Sequence, residues 1–183
     1  MSQLRRSFFQ RPTLKVAPEL LGKEIVLRKK TKESKGVIVE VEAYTEDDPA
    51  CHAARGKTPR NEVMFGPGGF SYVYFIYGMY HCLNFVTEKK GKPGAVLIRA
   101  LESPDEDHRI AAGPGKLCKY LKITMKHNKI DCCDEDSPLI VVDNWLYKKR
   151  SFSITQTKRI GISQATELPW RWYINESNAI SKK

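Results

Sequence analysis

The chain has 183 residues, 41% of them apolar and 28% charged, which is ordinary for one soluble globular domain and enough to bury a core without disulfides or metals. Its charge is less ordinary: 31 Lys and Arg against 21 Asp and Glu leave a formal +10, a balance that favours polyanionic partners, either nucleic acid or an acidic membrane surface, although a basic surface alone often serves only solubility. No apolar run approaches the length of a membrane span, and the amino end (Arg5, Arg6, Phe8, Phe9, Gln10, Arg11, Pro12) lacks the apolar core of a signal peptide.

In chain order, Thr13 to Leu21 predicts a short helix with Val16, Ala17, Leu20 and Leu21 on its apolar side. Pro18 limits its length and Gly22 supplies a stop. Glu24 to Leu27 and Val37 to Tyr44 predict two strands joined by a basic turn from Arg28 to Lys35. The second strand is the most informative stretch. At period two, Val37, Val39, Val41 and Ala43 share one face, while Ile38, Glu40, Glu42 and Tyr44 share the other. A carboxylate and an aromatic ring side by side on a rigid strand suit a general base beside a stacking platform. The same alternation equally describes a half-buried strand with Glu and Tyr facing water.

A polar loop follows, and His52 folds back close enough in sequence to reach the same face, although a lone histidine is normally a surface or core residue. Lys57 to Asn61, with Pro59, predicts a helix start whose Val63, Met64 and Phe65 pack inward. Ser71 to Val86 is dominated by aromatic and β-branched residues around Gly78 and Met79, and predicts a hairpin closed by a two-residue type II′ turn with Tyr77 and Tyr80 flanking the tip. Those tyrosines either cover a core or form a wedge for a duplex minor groove.

Ala95 to Ala100 predicts an apolar strand ending on Arg99, and an Arg there answers a buried carboxylate, for which Glu42 is the candidate. Gly113 to Lys116 opens a helix through Leu121 whose start, with Gly115 and Lys116, has the makings of a weak phosphate cradle. Asp131 to Asp136 predicts a solvated acidic turn, and Leu139 to Val142 a strand. The tail from Arg159 to Tyr173 carries two tryptophans and is expected to dock on the sheet. The five cysteines have no C-x-x-C or finger spacing and are expected to be reduced thiols, with no structural zinc. Strands joined by turns with scattered helices predict an α+β fold: a single domain over residues 1–183 with a curved antiparallel β-sheet, surrounding helices and a protruding aromatic-tipped hairpin.

The runs Val39 to Tyr44, His52, Thr58 to Asn61, Tyr72 to Tyr80, Leu97 to Glu102, Gly113 to Cys118 and Arg159 to Ile162 resemble, in order and over nearly the whole chain, the alkyladenine (3-methyladenine, or methylpurine) DNA glycosylase family. The resemblance implies a monofunctional base-excision enzyme that flips alkylated or deaminated purines out of double-stranded DNA and hydrolyses their N-glycosidic bond, with no metal or organic cofactor. It implies Glu42 as the general base that activates a water, and Arg99 with the Ile160 carbonyl as its holders. Tyr44, His52 and Tyr74 would wall the base pocket, Asn84 would crowd its edge against guanine, and Tyr77 would intercalate. It further implies a monomer that resides inside the cell with the DNA and has no membrane partner. The segment between Glu102 and Gly113 is shorter than in mammalian members. A non-catalytic damaged-DNA or RNA binding protein of the same fold is the alternative.

Overall fold

A computed structural model describes residues 2–29, 33–149 and 151–182. The elements are α1 (Arg6–Phe9), α2 (Thr13–Leu20), β1 (Lys23–Leu27), β2 (Ser34–Thr45), β3 (Ser71–Ile76), β4 (Tyr80–Val86), β5 (Gly94–Glu102), α3 (Pro114–Leu121), β6 (Leu139–Asp143), α4 (Trp145–Lys149), β7 (Ile154–Thr157) and β8 (Arg171–Ile174), with short 3-10 turns at Glu62–Phe65 and Met125–His127. All the strand pairings are antiparallel, and the sheet runs β3-β4-β5-β2-β1-β6, with β8 joining β2 and β7 joining β8. This is the expected α+β arrangement. Part of the basic turn between β1 and β2, residues 30–32, lies outside the described residues.

The long strand β2 is the axis of the sheet. One edge pairs with β5 from Val37 to Thr45, while the other is shared between β1, which faces Ser34 to Val37, and β8, which faces Glu40 to Glu42. Both faces are buried from Val37 to Ala43, so the reading of a strand with Glu and Tyr turned to water is wrong. The reason is the β8 tail and the loop after β7, which cover the face that period-two counting left open. The alternation itself is interrupted. Pairing passes from Ile38↔Leu101 to Glu40↔Ala100 and then to Val41↔Ile98, so Val39 on β2 and Arg99 on β5 are each skipped. Two opposed bulges twist the strands and re-aim side chains locally. Ile38 consequently joins the main core with Val39, Val41 and Ala43, not the carboxylate face. Arg99 also sits inside β5 and not at its end.

The core is built from α2 (Val16, Ala17, Leu20), the inner residues of β1, β2, β4 and β5, and α3 (Leu117, Cys118, Leu121). A second cluster of Cys51, Ala53, Val63, Met64, Tyr72, Val86 and Ala95 lies under the loop that carries His52. Of the five free cysteines, Cys51, Cys82, Cys118 and Cys132 are buried. The acidic turn is only partly solvated, because Asp131 forms an ion pair with Arg6.

The hairpin β3–β4 pairs Ile76 with Tyr80, which leaves a three-residue loop, Tyr77, Gly78 and Met79, in place of the expected two-residue type II′ turn. Tyr77 and Gly78 both have positive φ, 50° and 66°, and the Met79 N–H donates to the Ile76 carbonyl at 3.2 Å. Left-handed backbone at both central positions twists the turn in the sense that flanking strands require. Gly78 adopts it freely and Tyr77 adopts it against its Cβ. Tyr77, Met79, Tyr80 and Phe75 are exposed. The outer strand β3 is shielded by the segment after Met125–His127: Asn128 Oδ1 accepts the Val73 N–H at 3.0 Å and the Ile130 carbonyl accepts the Ser71 N–H at 2.9 Å.

Candidate active site

Beside the hairpin, a cavity of about 590 Å³ opens between β3, β4, β5, the loop after β2 and the loop after β7. Its lining includes Tyr44, His52, Tyr72, Tyr74, Asn84, Arg99 and Ile160, with Tyr77 at the mouth. The volume and the mixture of aromatic walls with a few fixed polar groups suit a small planar ligand.

Glu42 lies fully buried directly behind this lining. Its Oε1 accepts the Ile160 N–H at 2.8 Å and faces Arg99 Nη1 at 3.2 Å, while its Oε2 accepts the Tyr44 hydroxyl at 2.8 Å. Arg99 Nη1 also reaches the Ile160 carbonyl at 3.5 Å. A carboxylate, a guanidinium and the two backbone polar atoms of Ile160 therefore converge, and Glu42 is the partner that the sequence predicts for Arg99. Burial acts against the Arg99 cation, but Glu42 and then Glu40 more than offset it, and its pKa is held above the ordinary value.

Arg99 does not belong to Glu42 alone. Its Nε lies 3.2 Å from Glu40 Oε1, an oxygen that also accepts Arg171 Nε at 2.7 Å and the Ser181 hydroxyl at 2.8 Å. Glu40 and Arg171 were not singled out from the sequence. The one local signal for Glu40 is that it repeats the Glu42 alternation, whereas Arg171 arrives from 131 residues away.

The walls are equally fixed. Tyr44 is pressed under the Arg159 guanidinium, whose carbon is 4.7 Å from the ring centroid, and Trp170 lies 5.3 Å from the same carbon. Arg159 is held by both oxygens of Asp48 and by the Ala43 carbonyl at 3.0 Å. His52 Nδ1 is 2.8 Å from the Tyr72 hydroxyl, and its ring meets Tyr74 edge-on with centroids 4.6 Å apart. Burial and then the neighbouring Arg60 lower the His52 pKa, which keeps the imidazole neutral near pH 7. The Asn61 amide clamps this loop by donating to the His52 carbonyl at 2.7 Å and the Gly56 carbonyl at 3.0 Å. Burial, and then the Glu42 charge, push the Tyr44 hydroxyl far above its ordinary range; burial and Cys82 do the same to Tyr74, so both remain neutral phenols. Arg60 stacks on Tyr74 at 5.3 Å. The amide of Asn84, on β4, is fixed by donation to the Tyr72 carbonyl at 3.0 Å.

The start of α3 also meets the hairpin. A Cβ on Gly115 would stand 2.8 Å from Tyr80 Cδ1, so the glycine admits the Tyr80 ring and braces the hairpin against α3. Lys116 beside it is exposed.

Residues 7–178 match the model of the family described as methylpurine-DNA glycosylase. A relative from Rickettsia peacockii (strain Rustic) is 47% identical over 98% of this chain and 94% of its own. Another, from Wolbachia sp. subsp. Brugia malayi (strain TRS), is 52% identical over 93% of this chain and 96% of its own, and one from Trichodesmium erythraeum (strain IMS101) is 44% identical over 98% and 97%. All three are provisionally named 3-methyladenine DNA glycosylase. With a family match over most of its length and relatives of this similarity, the chain belongs to the methylpurine-DNA glycosylase family.

Proposed function

We propose that this chain removes alkylated and deaminated purines, of the 3-methyladenine, 7-methylguanine and hypoxanthine class, from duplex DNA by hydrolysing the N-glycosidic bond. The observation that carries the proposal is the convergence of buried Glu42, Arg99 and both backbone polar atoms of Ile160 on one edge of an aromatic cavity. The flipped purine occupies that cavity among Tyr44, His52 and Tyr74. Asn84, held by the Tyr72 carbonyl, crowds the edge where guanine carries its exocyclic amino group. Tyr77 fills the gap in the stack, and Lys116 beside the hairpin meets the backbone.

As the bond to the base lengthens, positive charge develops on the deoxyribose. An ionised Glu42 opposes that charge and accepts a proton from the water that attacks C1′, so the products are the free base and an abasic sugar. Arg99 and the Ile160 carbonyl orient the water, one by donation and the other by acceptance. Cationic bases gain from the electron-rich rings of Tyr44 and Tyr74, an effect of about 0.5 to 2 kcal/mol. Water is the nucleophile, so no lysine forms an imine with the sugar and strand scission does not follow.

The test is base release from randomly methylated duplex DNA and from a duplex carrying one hypoxanthine, with wild type and Glu42→Gln. Wild type should liberate free base and leave an intact, alkali-labile strand; Glu42→Gln should bind the same DNA and liberate none. Binding without release by the wild type would reduce the protein to a damaged-DNA binder.

A further inference from the structure

The segment that follows β8 returns to the base of the cavity. Ala179 and Ile180 are buried in the core, and the next residue, Ser181, lands on the Glu40 and Arg99 pair. Its backbone N–H donates to Glu40 Oε2 at 2.6 Å, its hydroxyl donates to Glu40 Oε1 at 2.8 Å, and Arg99 Nη2 donates to the same hydroxyl oxygen at 3.3 Å.

The planar Arg99 guanidinium thus has three separately occupied edges. Nε faces Glu40, Nη2 faces Ser181, and Nη1 alone faces Glu42 and the Ile160 carbonyl. A rigid fork held from behind at Nε and Nη2 has its third edge fixed in direction. Glu40 is in turn occupied by Arg171, so it does not draw the whole guanidinium away from Glu42. From this geometry we infer that Ser181 is a positioning residue for Arg99: its hydroxyl bridges Glu40 to Nη2 and aims Nη1 at the place where the attacking water is held. The inference rests on the proposed roles of Glu42 and Arg99. Its distinct content is that a residue outside the cavity lining sets the rate without touching the substrate.

Ser181→Ala removes only the hydroxyl. The backbone bond to Glu40 and the buried Ala179 and Ile180 remain, so the segment stays docked. The experiment compares wild type, Ser181→Ala, Ser181→Thr and Glu42→Gln in release of 3-methyladenine from methylated duplex DNA, with kcat and KM determined separately. The expected result is a kcat lower by about three- to tenfold in Ser181→Ala, the scale of one lost hydrogen bond, with KM within about twofold. Ser181→Thr, which keeps the hydroxyl, should return kcat to within about twofold of wild type. Wild-type kcat in Ser181→Ala overturns the inference, as does a loss that appears in KM or that Ser181→Thr does not restore. An active wild type beside an inactive Glu42→Gln keeps the underlying mechanism intact in either case, whereas an inactive wild type removes both.

Discussion

Tyr44 donates its hydroxyl hydrogen to Glu42 Oε2 at 2.8 Å, from two residues along the same strand. The ring and the hydroxyl of Tyr44 therefore have separable duties: one walls the cavity and the other orients the carboxylate. Tyr44→Phe keeps the wall and should leave affinity for damaged DNA within about twofold while lowering kcat about three- to tenfold. Tyr44→Ala removes both and should weaken binding as well. Separate measurement of binding and single-turnover release checks the distinction; equal losses of both in Tyr44→Phe would contradict it.

Tyr77 combines high exposure, 83%, with a φ of 50° that suits glycine better than a ring. Its aromatic character is not explained by packing, which is why it is the candidate wedge. Tyr77→Gly removes the left-handed strain while adding freedom to the unfolded chain, so stability should stay within about 1 kcal/mol of wild type. Release from duplex DNA should fall roughly tenfold or more, because an extruded base would no longer be replaced in the stack. Thermal denaturation and release from the duplex form the pair of measurements, and an unchanged release rate would remove Tyr77 from the mechanism.

Much of this was legible in local sequence. The hairpin β3–β4, the helix α3 and the strand β2 follow from periodicity and residue type, and the candidate residues other than Gly115 and Lys116 lie around one cavity or directly behind it. What escaped is nonlocal. The opposed bulges at Val39 and Arg99 arise from pairing between β2 and β5, and no period-two count of either strand reveals them. Glu40 looked like a second acid on an open face because its partners, Arg171 and Ser181, enter 131 and 141 residues later. Strand β7 has no counterpart in the sequence reading and β8 falls within the docking tail from Arg159 to Tyr173, since each strand is four residues long and too short for a periodic signal.

Asp48 and Arg159 form a bidentate pair with no side-chain exposure, and Arg159 precedes Ile160, whose N–H meets Glu42. Removal of one member leaves the other charge buried without its partner. Asp48→Ala should therefore destabilise the fold by about 3 to 5 kcal/mol, enough to lower Tm by roughly 6 to 20 °C in a chain of this size. Tyr44, stacked under Arg159, should become more mobile in the same variant. Chemical denaturation checks the first claim; a loss below about 1 kcal/mol would mean that water reaches the site and replaces the carboxylate.

Glu24 on β1 is a buried acid of a different kind, because its Oε2 has no hydrogen-bond partner among the described residues. Burial raises its pKa above the ordinary 4.5, Lys35 pulls it down in part, and Glu33 adds to the rise. The native state then binds more protons than the unfolded chain once pH exceeds the unfolded value, so the slope of stability with pH is negative there. The neutral carboxyl's contribution is fully present below about pH 4.5 and is lost as pH rises through the folded pKa. Glu24→Gln supplies a neutral isostere at every pH. It should match the wild type near pH 4 and exceed it at pH 7.5, by about 1 kcal/mol or roughly 2 to 4 °C in Tm. Melting curves of the two proteins across that range decide the matter, and a variant less stable at pH 7.5 would mean that the ionised carboxylate is the form the fold prefers, through its attraction to Lys35.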